Sequence, residues 1–309
     1  MSAAARPANF GRWEDVELSP WRAFGALAAD WALIVGCLAC AARFPSAWVY
    51  LGAAVLIART QLALAVLMHE SAHGLLSRRR RVNDFVGQVF AAGPLVLSLF
   101  VYRSGHLKHH RAPMASDDPV AVVFGIGDYP VPRWKLVVRL FGDLTGVGYV
   151  ITMTKLLSGA HQRVLRPLSE PARHRGFVVL SILVTNGLLL GALVALGHPW
   201  LYLGLWLLPA LTLLQVMARV RAIMEHAGYP PGDDQRKNAR TIVRPSWQTF
   251  FFGPHAVHFH IEHHAHVRVP FYRLREVHRA MAANGLLPRA NLYRGYGQIL
   301  QEVTNARSS

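Results

Sequence analysis

The sequence predicts an all-α integral membrane helical bundle, with about four transmembrane helices and a helical cap on the cytoplasmic side. Three observations carry that reading. Of 309 residues, 52% are hydrophobic and only 16% charged, an apolar balance for a soluble domain of average composition. The apolar residues gather into two pairs of long runs, and the basic ones crowd the segments between them. A formal charge of +16 points to an anionic partner, and its distribution fits a lipid-facing cytoplasmic surface better than nucleic acid.

The start, "MSAAARPANFGRWEDVELSP", lacks the charged-then-apolar pattern and small-residue cleavage site of a signal peptide, so the first span is expected to stay in the mature chain. Runs at about 22–43 and 47–68 follow, divided only by a short "FPSAW" turn. Each can cross a hydrocarbon core of about 30 Å as a helix, and together they form a hairpin. Cys37 and Cys40 lie inside the first run and read as small buried hydrophobes rather than a disulfide framework. Asp30 and Arg59 fall at similar depths in the two runs. Charges there are costly unless paired, so a mutual ion pair is expected.

Residues 85–102 are apolar but broken at Gly93-Pro94, and residues 140–157 are interrupted by Asp143 and several glycines. Both are expected to lie at the membrane interface as helices, with further crossings as the alternative. A second pair of runs, about 177–197 and 201–218, is split by "GHPW" and repeats the hairpin. Residues 282–309 carry no recognisable site and are expected to add helical fragments to the cap. Residues 1–309 are read as a single domain.

Orientation follows from the basic residues. Arg and Lys fill 77–81, 103–111, 133–139, 163–175 and 219–244, whereas the two short turns carry almost none, Arg43 excepted. The positive-inside rule then places both termini and both long intervening segments in the cytoplasm, in the inner membrane if the source is bacterial.

Histidines supply the chemistry. "HESAH" contains His69 and His73, "HLKHH" contains His106, His109 and His110, and "HIEHH" contains His260, His263 and His264. All three clusters fall on the predicted cytoplasmic side, although histidine played no part in deriving the topology. Residues three and four apart share a helix face, so each cluster aims two or three imidazoles the same way. Eight such ligands exceed what one ion can hold, and two ions sharing the set is the natural reading; histidine suits Fe, Zn and Cu.

"HESAH" also fits the letters of a zinc-protease motif, but that reading gives the other two clusters no role. A soluble ferritin-like site would need Glu and E-x-x-H ligands that the chain lacks. A metal transporter or sensor would place its ligands within the spans along a pathway, not at one mouth. His161, His174, His198 and His278 stand alone and read as satisfied core or surface residues.

From "MHESAHGLL" at 68 to "VPFYRLREVHRAM" at 269–281, the chain resembles the membrane fatty acid desaturases, whose histidine-box superfamily includes related hydroxylases and carotenoid ketolases. The resemblance implies two ferrous ions, Fe2+, held by the box histidines and one more. "RVRAIMEHAG" resembles the family's R-x-x-x-E-H element and makes His226 the ninth ligand, just after the fourth span. Glu70, Glu225 and Glu262 are candidates to orient imidazoles from behind. One departure is His258, which stands where relatives have Asn; it is a candidate further ligand, while His266 reads as an outer or surface residue.

The implied reaction is an oxygen-dependent insertion of a C=C bond into a fatty acyl chain or lipid. Hydroxylation or ketolation of a lipid or carotenoid at the same site is the alternative. The implied substrate is an acyl-lipid or acyl-thioester. No haem or flavin domain is recognisable, so a separate electron donor such as a ferredoxin or a cytochrome is expected.

Overall fold

The computed structural model describes Trp13, residues 16–158 and residues 172–305. The expectations for His161 and for the basic residues 163–171 lie outside the described residues.

The first hairpin forms as the apolar runs dictate. Helix α1 spans Pro20–Arg43, opening on a proline whose fixed φ suits the first turn. Helix α2 spans Ala47–His73; the Ser46 side chain caps it by accepting from the Val49 N–H at 3.3 Å, and Gly74 ends it at φ +80°. Ala23, Leu27, Asp30, Ile34, Cys37 and Leu38 recur at helical spacing and form the buried face of α1. Cys37 is buried and Cys40 exposed, both as free thiols, so the expectation of two buried cysteines holds only for Cys37. Asp30 and Arg59 do pair, at 3.4 Å.

The α2 helix runs five residues further than the apolar run. Nothing in its "MHESAH" end breaks a helix, and these residues are packed on all sides: Met68, His69, Glu70, Ser71 and Ala72 are buried. Arg103 donates to the Ala72 and Ser71 carbonyls at 3.1 and 2.9 Å, and Asn83 donates to Ser71 O at 2.9 Å. Cationic and amide donors thus satisfy carbonyls that the helix end leaves free.

The two interrupted stretches become bent pairs. Helix α3 (Arg80–Val86) continues through a π-helical turn, Gly87–Ala92, and a 3-10 turn at Gly93–Leu95, then meets helix α4 (Leu99–Arg111) at a 96° bend. Gly87 allows this segment to lie on α2, since a Cβ there would sit 2.1 Å from Ser71 Oγ. After a short helix α5 (Pro119–Phe124), helices α6 (Arg133–Leu144) and α7 (Val147–Leu157) meet at 86° across Thr145-Gly146. Trp134, Val137, Val138 and Phe141 are exposed along α6. Asp143 is no defect: it accepts from Arg219, which also donates to Phe124 O at 2.6 Å.

Helix α8 spans Ala172–Ala195. The last apolar run is one continuous candidate span, Tyr202–His226. It begins as a π-helical turn, Tyr202–Leu207, and ends as helix α9, Leu213–His226. His226 therefore terminates the span helix itself, not a loop after it. Among the described residues, four helices are long and apolar enough to cross a membrane, or up to six if each bent pair is one span.

The cap is built from short elements. A two-residue parallel pair joins strand β1 (Thr241–Ile242) to β2 (Leu292–Tyr293). Helices α10 (Trp247–Phe252), α11 (His260–Ala265), α12 (Leu274–Ala283) and α13 (Tyr296–Thr304) surround it. Leu274, Val277 and Met281 of α12 pack with Phe259 and Ile261 beneath the third cluster, and Ile299 and Val303 of α13 pack on Val220 and Ile223 of α9. The expected all-α membrane bundle with a helical cap is thus the observed architecture.

Candidate metal centre

Four helices deliver nine imidazoles to one place. The end of α2 supplies His69 and His73, α4 supplies His106, His109 and His110, α9 supplies His226, and α11 supplies His260, His263 and His264. They fall into two groups. His69, His73, His106, His110 and His263 form one; His109, His226, His260 and His264 form the other, and within each the candidate ligand atoms lie within 4.8 Å of one another. The groups adjoin, with the His110 and His264 ring centres 4.3 Å apart. Eight of the nine are buried, His73 being partly exposed.

The nitrogens face inward at short range. Nε2 to Nε2 separations are 3.0 Å for His69 and His263, 2.8 Å for His73 and His106, and 3.0 Å for His263 and His110. In the second group they are 3.2 Å for His109 and His226, 2.8 Å for His260 and His226, and 3.1 Å for His264 and His260. A neutral imidazole has one N–H, so these contacts cannot all be hydrogen bonds.

Partners behind three of the rings settle where those protons are in the four-histidine group. His109 Nδ1 donates to Asp118 Oδ2 at 2.8 Å, His226 Nδ1 to Asn238 O at 2.8 Å, and His264 Nδ1 to Gln235 Oε1 at 3.1 Å. His260 Nδ1 faces Glu225 Oε1 at 3.5 Å. With Nδ1 protonated on His109, His226 and His264, their bare Nε2 lone pairs turn toward one another, an arrangement that repels itself unless a cation sits among them. The residues present therefore fit a pair of metal ions, and among the described residues no carboxylate joins either ligand group.

Electrostatics agree. Burial, and then mutual repulsion among the rings, hold the His260, His263 and His264 imidazoles well below their ordinary range, so they stay neutral and ligand-competent. Burial alone would raise the Asp118 carboxyl. Its hydrogen bond and charge contact with His109, with the Met114 and Val120 N–H groups, instead hold it below the ordinary carboxylate range.

The three glutamates of the motifs are all buried, and none is solvated. Only Glu225 faces a ligand ring; it also accepts from Arg221 at 2.6 Å. Glu70 instead accepts the Phe271 N–H at 2.9 Å, tying the first cluster to the loop after the third. Glu262 accepts from Thr241 Oγ1 and His278 Nδ1, each at 2.5 Å, which locks α11 against β1 and α12. His278 is thus a satisfied histidine, as read from its isolation. His174 stacks on Phe100 with ring centres 3.8 Å apart, and His198 lies beside Trp200 at 6.0 Å.

His258 belongs to neither ligand group; its Nδ1 faces Gly253 O at 3.2 Å. Asp118, Gln235 and Asn238 were not legible as site residues. The signal in Asp118-Pro119 is that of a helix start, and Asp118 does cap α5, while Gln235 and Asn238 sit in an aperiodic polar loop. Gln235 joins two clusters, donating to His110 O while meeting His264. Asp118→Ala is expected to weaken metal binding by about 10–100-fold without unfolding the chain; a metal titration of the purified variant, with wild-type affinity as the refuting result, checks this.

Comparison with known proteins adds the following. A family model described as fatty acid desaturase matches residues 45–297. The chain is similar to the dihydrorhizobitoxine desaturase of Bradyrhizobium elkanii, 28% identical over 281 residues that cover 85% of this chain and 76% of that protein. It is similar to the chloroplastic omega-6 fatty acid desaturase of Arabidopsis thaliana, 24% identical over 78% of this chain and 53% of that protein. Similarity to the sn-1 oleoyl-lipid 12-desaturase of Picosynechococcus is 23% identity over 87% of this chain and 79% of the relative.

Proposed function

The chain belongs to the fatty acid desaturase family, and from that membership we propose that it is an oxygen-dependent di-iron desaturase forming a C=C bond in a fatty acyl chain. The observation that carries the proposal is the pair of buried, inward-facing histidine groups. His69, His73, His106, His110 and His263 would hold one iron, and His109, His226, His260 and His264 the other. When bound, the two ferrous ions supply the oxygen activation and two-electron oxidation that side-chain acids and bases cannot perform on an unactivated C–H bond.

The chain's own residues hold and orient. Asp118, Asn238 and Gln235 fix the tautomer and ring plane of three ligands. Arg221 keeps the Glu225 carboxylate beside His260. Burial excludes water from eight of the nine rings, His73 being the partly exposed one. The spans supply an apolar surround for the acyl chain. Basic segments between them suit the anionic head of an acyl-lipid or acyl-thioester, and a separate acidic electron carrier such as a ferredoxin or a cytochrome.

This reading treats residues 1–309 as one domain, with the site on the cytoplasmic side where the positive-inside rule puts it. The relatives named for omega-6 and oleoyl-lipid desaturation support the acyl substrate class. The test is expression in a host lacking the protein, with a matched electron donor and mass spectrometry of total lipids. A product two mass units lighter is expected. A product sixteen units heavier instead would transfer the assignment to hydroxylation, and no new lipid from an iron-loaded protein would reject acyl chains as the substrate.

A further inference from the structure

The ion pair between the first two spans has a third member that lies far away in sequence. Asp30 Oδ1 meets Arg59 Nη1 at 3.4 Å, and Asp30 Oδ2 meets His255 Nε2 at 2.7 Å. All three side chains are nearly buried, at 6%, 12% and 11% exposure. Arg59 also donates through Nε to Phe250 O at 3.1 Å and lies 4.6 Å from the centre of the Phe250 ring. The two charged residues of the hairpin therefore grip both ends of the segment 250–255, which directly precedes the third histidine cluster.

The backbone there is under tension. His255 has φ +52° and Ala256 φ +57°, a left-handed conformation that residues with a Cβ adopt only when their surroundings compel it. Five residues later comes His260, followed by His263 and His264. Within that interval the chain folds back on itself: His258 Nδ1 meets Gly253 O at 3.2 Å, and a Cβ on Gly253 would sit 2.9 Å from the His258 Cβ. Little slack remains to absorb a shift at His255. Apolar contacts add to the grip: the His255 ring lies 5.0 Å from Phe271 and Phe252 lies 5.4 Å from Tyr296, ring centre to ring centre, while Asp30 and Arg59 supply the polar contacts from the first two spans.

We propose that Asp30, Arg59 and His255 form a clamp between the first two spans and the third histidine cluster, and that His255 is a positioning residue for the metal centre. The clamp sets the height of α11 against α2, so that His263 meets His69 while His260 and His264 meet His226 and His109. It rests on the proposed metal reading of the two histidine groups, because it acts by placing three of their nine ligands.

The test uses the full-length protein in detergent, stripped of metal and titrated with Co2+, whose visible absorption reports ligand geometry. His255→Ala is expected to weaken Co2+ binding by about 10–100-fold, the range for outer residues of metal sites, and to alter the spectrum. His255→Asn is expected to restore most of both, since Asn tolerates the left-handed region and offers Asp30 an N–H. Asp30→Asn removes the charge but keeps the shape, and is expected to produce the same spectral change as His255→Ala. Wild-type affinity and spectrum in either His255→Ala or Asp30→Asn would overturn the clamp and leave the metal reading standing. A wild-type chain that binds no metal would overturn the metal reading, and the clamp with it.

Discussion

His263→Ala is expected to lower bound iron from about two ions per chain to about one and to reduce product formation by more than about 100-fold. The magnitude follows from geometry and precedent. Even residues behind metal ligands cost about 10–100-fold when removed, and His263 is more central than any of those. Its Nε2 lies 3.0 Å from both His69 Nε2 and His110 Nε2, so it joins the first and second clusters within the five-histidine group. Loss of the ring removes the ligand that ties His69 to His110 and leaves His69, His73, His106 and His110 around a gap, while His109, His226, His260 and His264 all remain. Iron analysis of the purified variant beside lipid profiling checks this. Retention of two irons with normal product would reject the assignment of His263.

A comparably large effect on stability is expected from Asp143→Ala. Asp143 is 2% exposed and is held by Arg219, whose side chain is itself only 14% exposed. Removing the carboxylate strands a buried guanidinium, which typically costs about 3–5 kcal/mol. The double variant Asp143→Leu with Arg219→Met is expected to recover most of that loss, because the pair's mutual attraction mainly offsets its own desolvation. Thermal unfolding in detergent measures both. An Asp143→Ala chain that unfolds within a degree of wild type would show the pair to be dispensable.

The same pair illustrates what a sequence can reveal. Asp143 was legible as an interruption of an apolar stretch, but its partner lies 76 residues away and no spacing rule links them. Asp30 and Arg59 were legible as partners because both lie in runs of known direction, and depth along a helix is simple to count. His255 was not, since it sits in an irregular loop 225 residues from Asp30. The three histidine clusters were readable because i, i+3 and i+4 spacing encodes a shared face; His226 followed from its motif's resemblance. Asp118, Gln235 and Asn238 were beyond reach: a residue's hydrogen-bond acceptor role depends on tertiary packing, not on local periodicity. Two helix ends were underestimated, with α2 and α9 both outlasting their apolar runs. Hydropathy marks where lipid ends, whereas a helix ends where its backbone finds other partners.

The sequence separation of the ligands has a last consequence. His69 and His263 are 194 residues apart, His110 and His263 153, and His109 and His226 117. On the proposed reading, a metal pair spanning such distances is a cross-link between the ends of long loops, and its binding energy is also folding energy. On that reading the stability of the cap rises with the logarithm of free iron, and α2 and α9, which carry His69, His73 and His226, are tied to the cap through the same ions.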